Sequence, residues 1–268
     1  NSFMRIFITG GAGFIGTHLC KKISQLHKVT VYDNFSNSNQ KDFPATFDVK
    51  LVIGDILDNA KLSHSMKNHD VVIHLAAKTD VVDSVNNPDD TFQTNVDGTQ
   101  NVLDSCVSNN ITKLITTSSS AVYKNSDDIV SELSDAEPSS PYGQSKLDME
   151  QIIVSSGINY SILRLFNVYG NGSTGGVITN FVKNISENKP LVIFGDGKAV
   201  RDFVHVDDVV KGIVFCMDSK SGIHNIASGI GTSIIQLANL FTRSTEEKII
   251  YKSARTYEII YSVADISK

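Results

Sequence analysis

Residues 4–16 read MRIFITGGAGFIG, a mostly apolar run that passes directly into spaced glycines. Met4 to Thr9 has the length and composition of a short buried strand. Gly10, Gly13 and Gly16 then allow a tight turn, a close backbone approach and close packing of a helix on a sheet. A helix opening at Gly13 presents free amide hydrogens and a partial positive charge to a pyrophosphate. Asp33 lies 17 residues beyond Gly16, at the end of the next strand. A carboxylate there accepts from both ribose hydroxyls and repels a 2′-phosphate, and no Arg adjoins it. These residues point to NAD rather than NADP. The alternative is a glycine turn with a structural role only.

Outward from this stretch, strands and helices alternate. Further strands are expected at Val29 to Tyr32, Val49 to Ile53, Val71 to Leu75, Lys113 to Thr117 and Tyr160 to Leu165. Helices are expected over about 13–26, as one long element from Pro88 to Val107, and over 142–155. Near-continuous apolar strands spaced by helices imply a parallel sheet buried on both faces, with right-handed crossovers. The fold class is therefore α/β, a doubly wound parallel sheet of Rossmann type with a smaller, interleaved C-terminal lobe. Residues 4–170 are assigned to the dinucleotide domain, with 191–217 returning to it. Residues 171–190 and 218–268 are assigned to the lobe, the latter read as strand, helix, strand from Gly222. Residues 170–176 hold four glycines and read as a mobile loop.

The chain has 268 residues, a formal net charge of −5, 41% hydrophobic and 20% charged residues. This is an ordinary globular composition with no Lys/Arg block, so no nucleic-acid surface is indicated. No apolar run reaches the 18 or so residues a membrane span needs. No signal peptide is expected ahead of the first strand, and Asn1, Ser2 and Phe3 before Met4 are set aside. The cysteines Cys20, Cys106 and Cys216 form no metal-ligand pattern, and reduced core thiols fit a cytoplasmic protein. No metal site is expected.

Two segments carry chemistry. Tyr142 and Lys146 are four apart on a helix, so both project from one face. A cation about 4 Å from a phenol is worth up to roughly three pKa units, which would bring the tyrosine toward neutral pH as an acid/base. A Tyr/Lys surface pair is the plain alternative. The hydroxyl run from Thr116 to Ser120 follows the fifth strand, where ligands sit in such sheets. It could also be a solvated turn. Asp55, after Gly54, either bonds an adenine amino group or caps a helix.

In chain order the sequence also carries GDILD (54–58), HLAA (74–77), TNVDGT (94–99), SSSAVY (118–123), YGQSK (142–146), RLFNVYG (164–170), FGDGKAVRDFVHVDD (194–208) and ADISK (264–268). With TGGAGFIG (9–16), these resemble an extended short-chain dehydrogenase/reductase of the nucleotide-sugar epimerase/dehydratase group, over nearly the whole chain. The resemblance implies that Ser119 is the catalytic hydroxyl, Tyr142 the acid/base and Lys146 its helper. It implies NAD contacts at Gly10, Gly13, Phe14, Ile15, Gly16, Asp33, Asn34, Asp55, Ile56, Leu75, Ala76, Ala77, Asn95, Thr117, Tyr142, Lys146 and Phe166. Asn95 resembles a buried asparagine that supports the catalytic helix, and Phe166 should lie near the nicotinamide. Substrate contacts are implied at Asn167, Val177, Val192, Phe194, Arg201 and Arg255. Two distant arginines suit a bidentate pyrophosphate clamp. Phe194 offers a face or edge to the nucleobase, and Glu258 can accept from a ribose. Thr79, Ser120 and the 171–177 loop would set pocket size.

After the catalytic hydroxyl the chain has Ser120 and Ala121, where dehydratases of this group carry an acidic pair and decarboxylases a Glu. What remains is reversible hydride transfer at C4. The expected function is 4-epimerisation of a UDP-sugar, and the resemblance implies a homodimer paired through helices near 95–107 and 143–155. A nucleotide-4-keto-sugar reductase and a non-catalytic dinucleotide sensor are the alternatives. The chain departs from the family at Asp80 to Ser84, which lacks a basic residue before the serine, and at Lys124, where glycine often follows the VY pair. It ends at Lys268 where relatives usually continue, so a trimmed substrate lobe is expected.

Overall fold

A computed structural model of the protein describes residues 3–242 and 248–268. Its strands are β1 (Arg5–Thr9), β2 (Lys28–Asp33), β3 (Val49–Ile53), β4 (Val71–His74), β5 (Lys113–Ser119), β6 (Tyr160–Leu165), β7 (Asn167–Tyr169), β8 (Leu191–Phe194), β9 (Val200–His205), β10 (Gly222–Ile226), β11 (Gly231–Ser233), β12 (Ile249–Lys252) and β13 (Tyr261–Ser262). The helices are α1 (Phe14–Ile23), α2 (Asn59–Met66), α3 (Val81–Asn86), α4 (Pro88–Phe92), α5 (Gly98–Ser108), α6 (Pro141–Ser155), α7 (Val177–Ser186), α8 (Val206–Cys216) and α9 (Ile234–Thr242).

The large sheet has seven strands in the order β10-β6-β5-β4-β1-β2-β3, all parallel. Side chains alternate across it, so one apolar run serves two cores. Ile6 and Ile8 of β1 pack with Leu19 and Ile23 of α1 and Val209 and Ile213 of α8. Phe7, between them, packs with Leu62, Val102, Leu103, Met149 and Ile153 from α2, α5 and α6. The strand order reverses between β1 and β4, and their C-terminal ends frame the crevice where ligands bind such sheets.

Two expectations need correction. The strand from Gly222 does not belong to the lobe: β10 pairs in parallel with β6, Ser161 opposite Gly222, and closes the exposed edge of the large sheet. Conversely, β8 does not return to the dinucleotide domain but pairs with β12, and β9 pairs with β7, β11 and β13. Of segment 191–217, α8 rejoins the main core, together with Val204 of β9. The lobe core is Phe181, Leu191, Ile193, Leu237 and Ala238.

The helix expected over 88–107 runs through as α4 and α5 but widens into a π-helical turn at Gln93–Asp97. π-bulges re-aim side chains at functional sites. Here the turn carries Asn95, whose amide reaches two neighbouring segments. Among the described residues no helix is long and apolar enough to cross a membrane.

Candidate active site

The glycine turn is built by contact. Gly10 has φ +68, and a Cβ on it would lie 2.5 Å from the Ala76 amide nitrogen, so the β1 turn sits directly on the end of β4. A Cβ on Gly16 would lie 2.6 Å from the Gly10 carbonyl oxygen. Gly13 is different. Its φ is −76, and a Cβ there would meet only the Gly10 carbonyl oxygen, at 3.3 Å. The protein's own packing is less tight at 13 than at 10 or 16, and a phosphate approaching the α1 N-terminus would add a demand of its own. No side chain caps that helix end. We expect Gly13→Ala to lose less stability than Gly10→Ala but to bind NAD about tenfold more weakly, the loss of one charge-assisted hydrogen bond. Gly10→Ala should instead lose about 2–4 kcal/mol of stability, from strain at positive φ plus overpacking. Thermal melts and NAD titration of the two variants separate these roles.

Asp33 ends β2 with both oxygens engaged but not saturated. Oδ2 accepts from the Ala12 amide at 3.0 Å and Oδ1 from the Phe35 amide at 2.8 Å. Each oxygen keeps a lone pair for a ribose hydroxyl. Asn34 Nδ2 donates to Asp55 Oδ2 at 2.9 Å, which joins the ends of β2 and β3. Asp55 Oδ1 accepts from Leu57 N. The cap of α2 is Asp58, accepting from Lys61 N at 3.1 Å, so the capping alternative for Asp55 falls. Ile56 is buried against Gly98 at the start of α5. Leu75 to Ala77 follow β4 at the crevice, half-buried, and Thr117 is buried on β5.

The catalytic candidates meet where β5 ends. Ser119 is the last residue of β5 and caps a 3-10 turn over Ser120–Val122, accepting from Ala121 N at 3.1 Å. The first turn of α6 docks on that turn. Ser140 caps it, Pro141 sets its first φ, and Gly143 packs so closely on the Ala121 carbonyl that a Cβ would clash. Tyr142 is thereby held beside Ser119, near enough for that hydroxyl to act on the phenol. Burial pushes the Tyr142 phenol above its usual value, and the Ser119 contact pulls it down. Lys146, one turn on, is buried with Nζ donating to the Thr117 carbonyl at 3.1 Å. Burial lowers its pKa to about 8, and Glu150 works against that shift. The simple expectation that Lys146 pulls the phenol toward neutrality is therefore corrected. In the protein alone desolvation dominates, so Tyr142 keeps its proton and Lys146 holds its own loosely.

Asn95 lies between the loop after β4 and α6. It is 1% exposed. Its Oδ1 accepts from Lys78 N at 2.8 Å, and Nδ2 donates to the Lys78 carbonyl and to Ser145 Oγ, at 2.9 and 3.0 Å. The amide ties the loop after β4 to α6. His74 bridges Thr9 at 2.6 Å and Thr99 at 2.9 Å, and burial drops it to about 3, so it stays neutral. Ser84 on α3, fully buried, accepts from the Tyr142 amide at 3.1 Å. Sequence reading missed its role, although the serine itself stands out there after Asp80-Val81-Val82-Asp83. Behind α6, Glu150 and Arg164 form a buried bidentate pair, with Nε–Oε1 3.0 Å and Nη2–Oε2 2.7 Å. The Arg164 guanidinium lies 4.8 Å over the Tyr123 ring, which stands 6.3 Å from Phe166.

In the lobe, several expected residues converge at the end of β8. The Arg255 guanidinium lies 3.9 Å over the Phe194 ring, which leaves Phe194 its other face or its edge. Arg201 is half-buried with Nη1 donating to its neighbour's carbonyl, and burial lowers its pKa while Glu258 opposes the shift. Glu258 Oε2 lies 3.6 Å from where a Cβ on Gly195 would stand. Val177 opens α7 and packs on the lobe core, Val192 is half-buried in β8, and Asn167 opens β7. Thr79 is exposed, beyond the end of β4, and Ser120 begins the turn beside Ser119. A second missed residue is Asp202. Fully buried in β9, its carboxylate accepts from Ser228 N and Oγ, Gly229 N and Ala264 N. It fixes the turn after β10 to the C-terminal segment.

This geometry has close counterparts. The family described as NAD dependent epimerase/dehydratase matches residues 6–230. A putative UDP-glucose 4-epimerase of Methanocaldococcus jannaschii is 36% identical, over 98% of this chain and 90% of the relative. The solved UDP-glucose 4-epimerase of Thermotoga maritima with UDP-glucose superposes with a TM-score of 0.94 at 30% identity, covering 98% of this chain and 90% of that one. A UDP-N-acetylglucosamine 4-epimerase from Methanobrevibacter ruminantium, in complex with UDP-N-acetylmuramic acid, gives 0.93 at 32% identity, covering 100% and 91%. With the cradle, the buried Tyr–Lys pair and these likenesses in agreement, the chain belongs to the NAD-dependent epimerase/dehydratase family.

Proposed function

We propose that the protein interconverts the C4 epimers of a UDP-sugar, with NAD held at the crevice between β1 and β4. The observation that carries this is the placing of Ser119 beside Tyr142 and Lys146 at the end of β5, two strands from β1 and its cradle. Ser120 and Ala121 follow it where water elimination would need carboxylates. The relatives named as 4-epimerases support the reading.

Gly13, the first-turn amides of α1, Asp33, Asn34 and Asp55 would hold the dinucleotide. Bound NAD would take the C4 hydride and return it, and its positive ring would favour the ionised phenol. Tyr142 accepts the C4 hydroxyl proton, and Ser119 holds the same oxygen and hands the proton across. Lys146, at about 8, stabilises the phenolate once it forms. The keto sugar must turn over before the hydride returns, so it needs a grip remote from the reacting carbon. Arg201 and Arg255 supply that grip on the diphosphate, Phe194 on the base and Glu258 on the ribose.

Arg201→Ala is expected to raise KM for the UDP-sugar about 10- to 100-fold, the range for hydrogen bonds to charged groups. It should change kcat little, because the contact is equal in ground and transition states. Steady-state kinetics checks this. Incubation with UDP-glucose, UDP-galactose and their N-acetyl forms, with no added nicotinamide, tests the function itself. NMR should show conversion between C4 epimers. Turnover only of a 4-keto sugar with added NADH would assign a reductase instead.

We also propose a homodimer through α5 and α6, each with an exposed valine, Val107 63% and Val154 43% exposed. Sedimentation at twice the chain mass is expected, and a monomer overturns it. Three buried free thiols suit a reducing cytoplasm.

A further inference from the structure

His18 stands one turn after Phe14 on the same face of α1, the two rings edge to face with centroids 5.5 Å apart. Its Nε2 lies 2.8 Å from the Asn171 carbonyl oxygen, 153 residues away in the chain. A carbonyl only accepts, so Nε2 carries the hydrogen and donates. Asn171 belongs to the glycine-rich loop 170–176. The base of that loop is pinned, because a Cβ on Gly170 would lie 2.6 Å from Val206 Cγ1 and 3.3 Å from His205 Nε2. Gly172, at φ +85, passes beside the Phe14 ring, with Phe14 Cδ2 4.0 Å from its Cβ position. Ser173 N closes the turn on the Gly170 carbonyl at 3.2 Å. Beyond it the contacts are local, Ser173 Oγ donating to the Gly175 carbonyl at 3.0 Å and Asn180 N to the Gly176 carbonyl at 3.0 Å. Gly175 and Gly176 have no atom within 4 Å of a Cβ position, Gly176 has φ +91, and α7 begins at Val177. The first half of the loop therefore lies on the helix turn that forms the phosphate cradle, and its glycines at 175 and 176 are held by bonds within the loop and to α7.

We propose that His18 is a positioning residue that latches loop 170–172 against Phe14 at the cradle and so slows escape of the bound dinucleotide. The proposal rests on the reading of residues 10–16 as the dinucleotide site. The Asn171 bond is the working contact. Asp207, whose Oδ1 is 3.7 Å from His18 Nδ1, is 65% exposed, and a pair so exposed contributes little. His205 does not compete for His18: its Nδ1 is occupied in accepting from the Asp207 amide at 3.2 Å.

The test is the exchange of bound NAD for added isotope-labelled NAD on the intact holoprotein, followed by mass spectrometry, alongside a thermal melt. His18→Ala should exchange about fivefold faster, the factor expected for one net hydrogen bond. His18→Gln, whose amide can still donate to the Asn171 carbonyl, should exchange close to the wild-type rate. Wild-type exchange in His18→Ala overturns the latch. Equal acceleration in both variants also overturns it, because packing rather than the bond would then be responsible. Wild-type protein that neither carries nor takes up NAD would contradict the dinucleotide reading itself, a result distinct from either of these.

Discussion

Tyr142→Phe should lower kcat by about 10²- to 10⁴-fold, the contribution of a positioned proton-transfer group. Phe fills the volume of the ring, so the buried site keeps its packing. The features that place residue 142 are outside the phenol: the Ser84 bond to its amide, the Ser140 cap and the Gly143 docking on the 120–122 turn. The variant removes one hydroxyl and leaves the Ser119 cap on Ala121 N in place. Its NAD content and melting temperature should stay near wild type, and NMR turnover should collapse. A variant that keeps a third or more of wild-type kcat would remove Tyr142 from the chemistry. The direction of the pKa shifts sharpens the expectation. Burial alone keeps the phenol protonated and draws Lys146 down to about 8, so the pair favours proton return to a sugar oxygen. Proton removal depends on the charge that the bound cofactor brings.

The second large effect concerns stability. Glu150 and Arg164 are 3% and 5% exposed and meet in two parallel hydrogen bonds between α6 and β6. Removing one partner strands a buried charge, so Arg164→Met or Glu150→Gln should cost about 3–5 kcal/mol in denaturant unfolding. The double variant Glu150→Leu with Arg164→Met should recover much of that loss, because a packed apolar pair pays no desolvation. Single variants within about 1 kcal/mol of wild type would show that the pair is wet or dispensable. Glu150 also opposes the burial shift of Lys146. Its loss should therefore lower kcat in protein that still folds, since Lys146 would hold its proton more weakly.

The elements legible in the sequence are those whose cause is local. β1, the glycine turn and α1 follow from adjacent residues, and Tyr142 and Lys146 are set one helical turn apart by spacing alone. The seven-stranded parallel sheet is legible as a class because near-continuous apolar strands require both faces covered. Strand partners are not local. Gly222–Ile226 has the composition of a strand, but its place beside β6 is decided by the return of α8 across the sheet. The supporting polar network was out of reach for the same reason. Lys78 and Asn95, Thr9 and His74, and Ser84 and Tyr142 lie 17, 65 and 58 residues apart, and no periodicity links them. The π-turn that aims Asn95 leaves no compositional mark, since a single extra residue in a helix still reads as helix. The lobe residues Phe194, Arg201, Arg255 and Glu258 came from resemblance, and their convergence depends on β8 pairing with β12, a contact across a long separation.

The central claim is that a hydride leaves C4 and returns to the same carbon within one protein-bound cycle. The most direct measurement supplies UDP-galactose deuterated at C4, without added nicotinamide, in ordinary water. UDP-glucose that still carries deuterium at C4 is the expected product. Product with hydrogen at C4, the label having passed to solvent, or no product until a reduced nicotinamide is added, would contradict it.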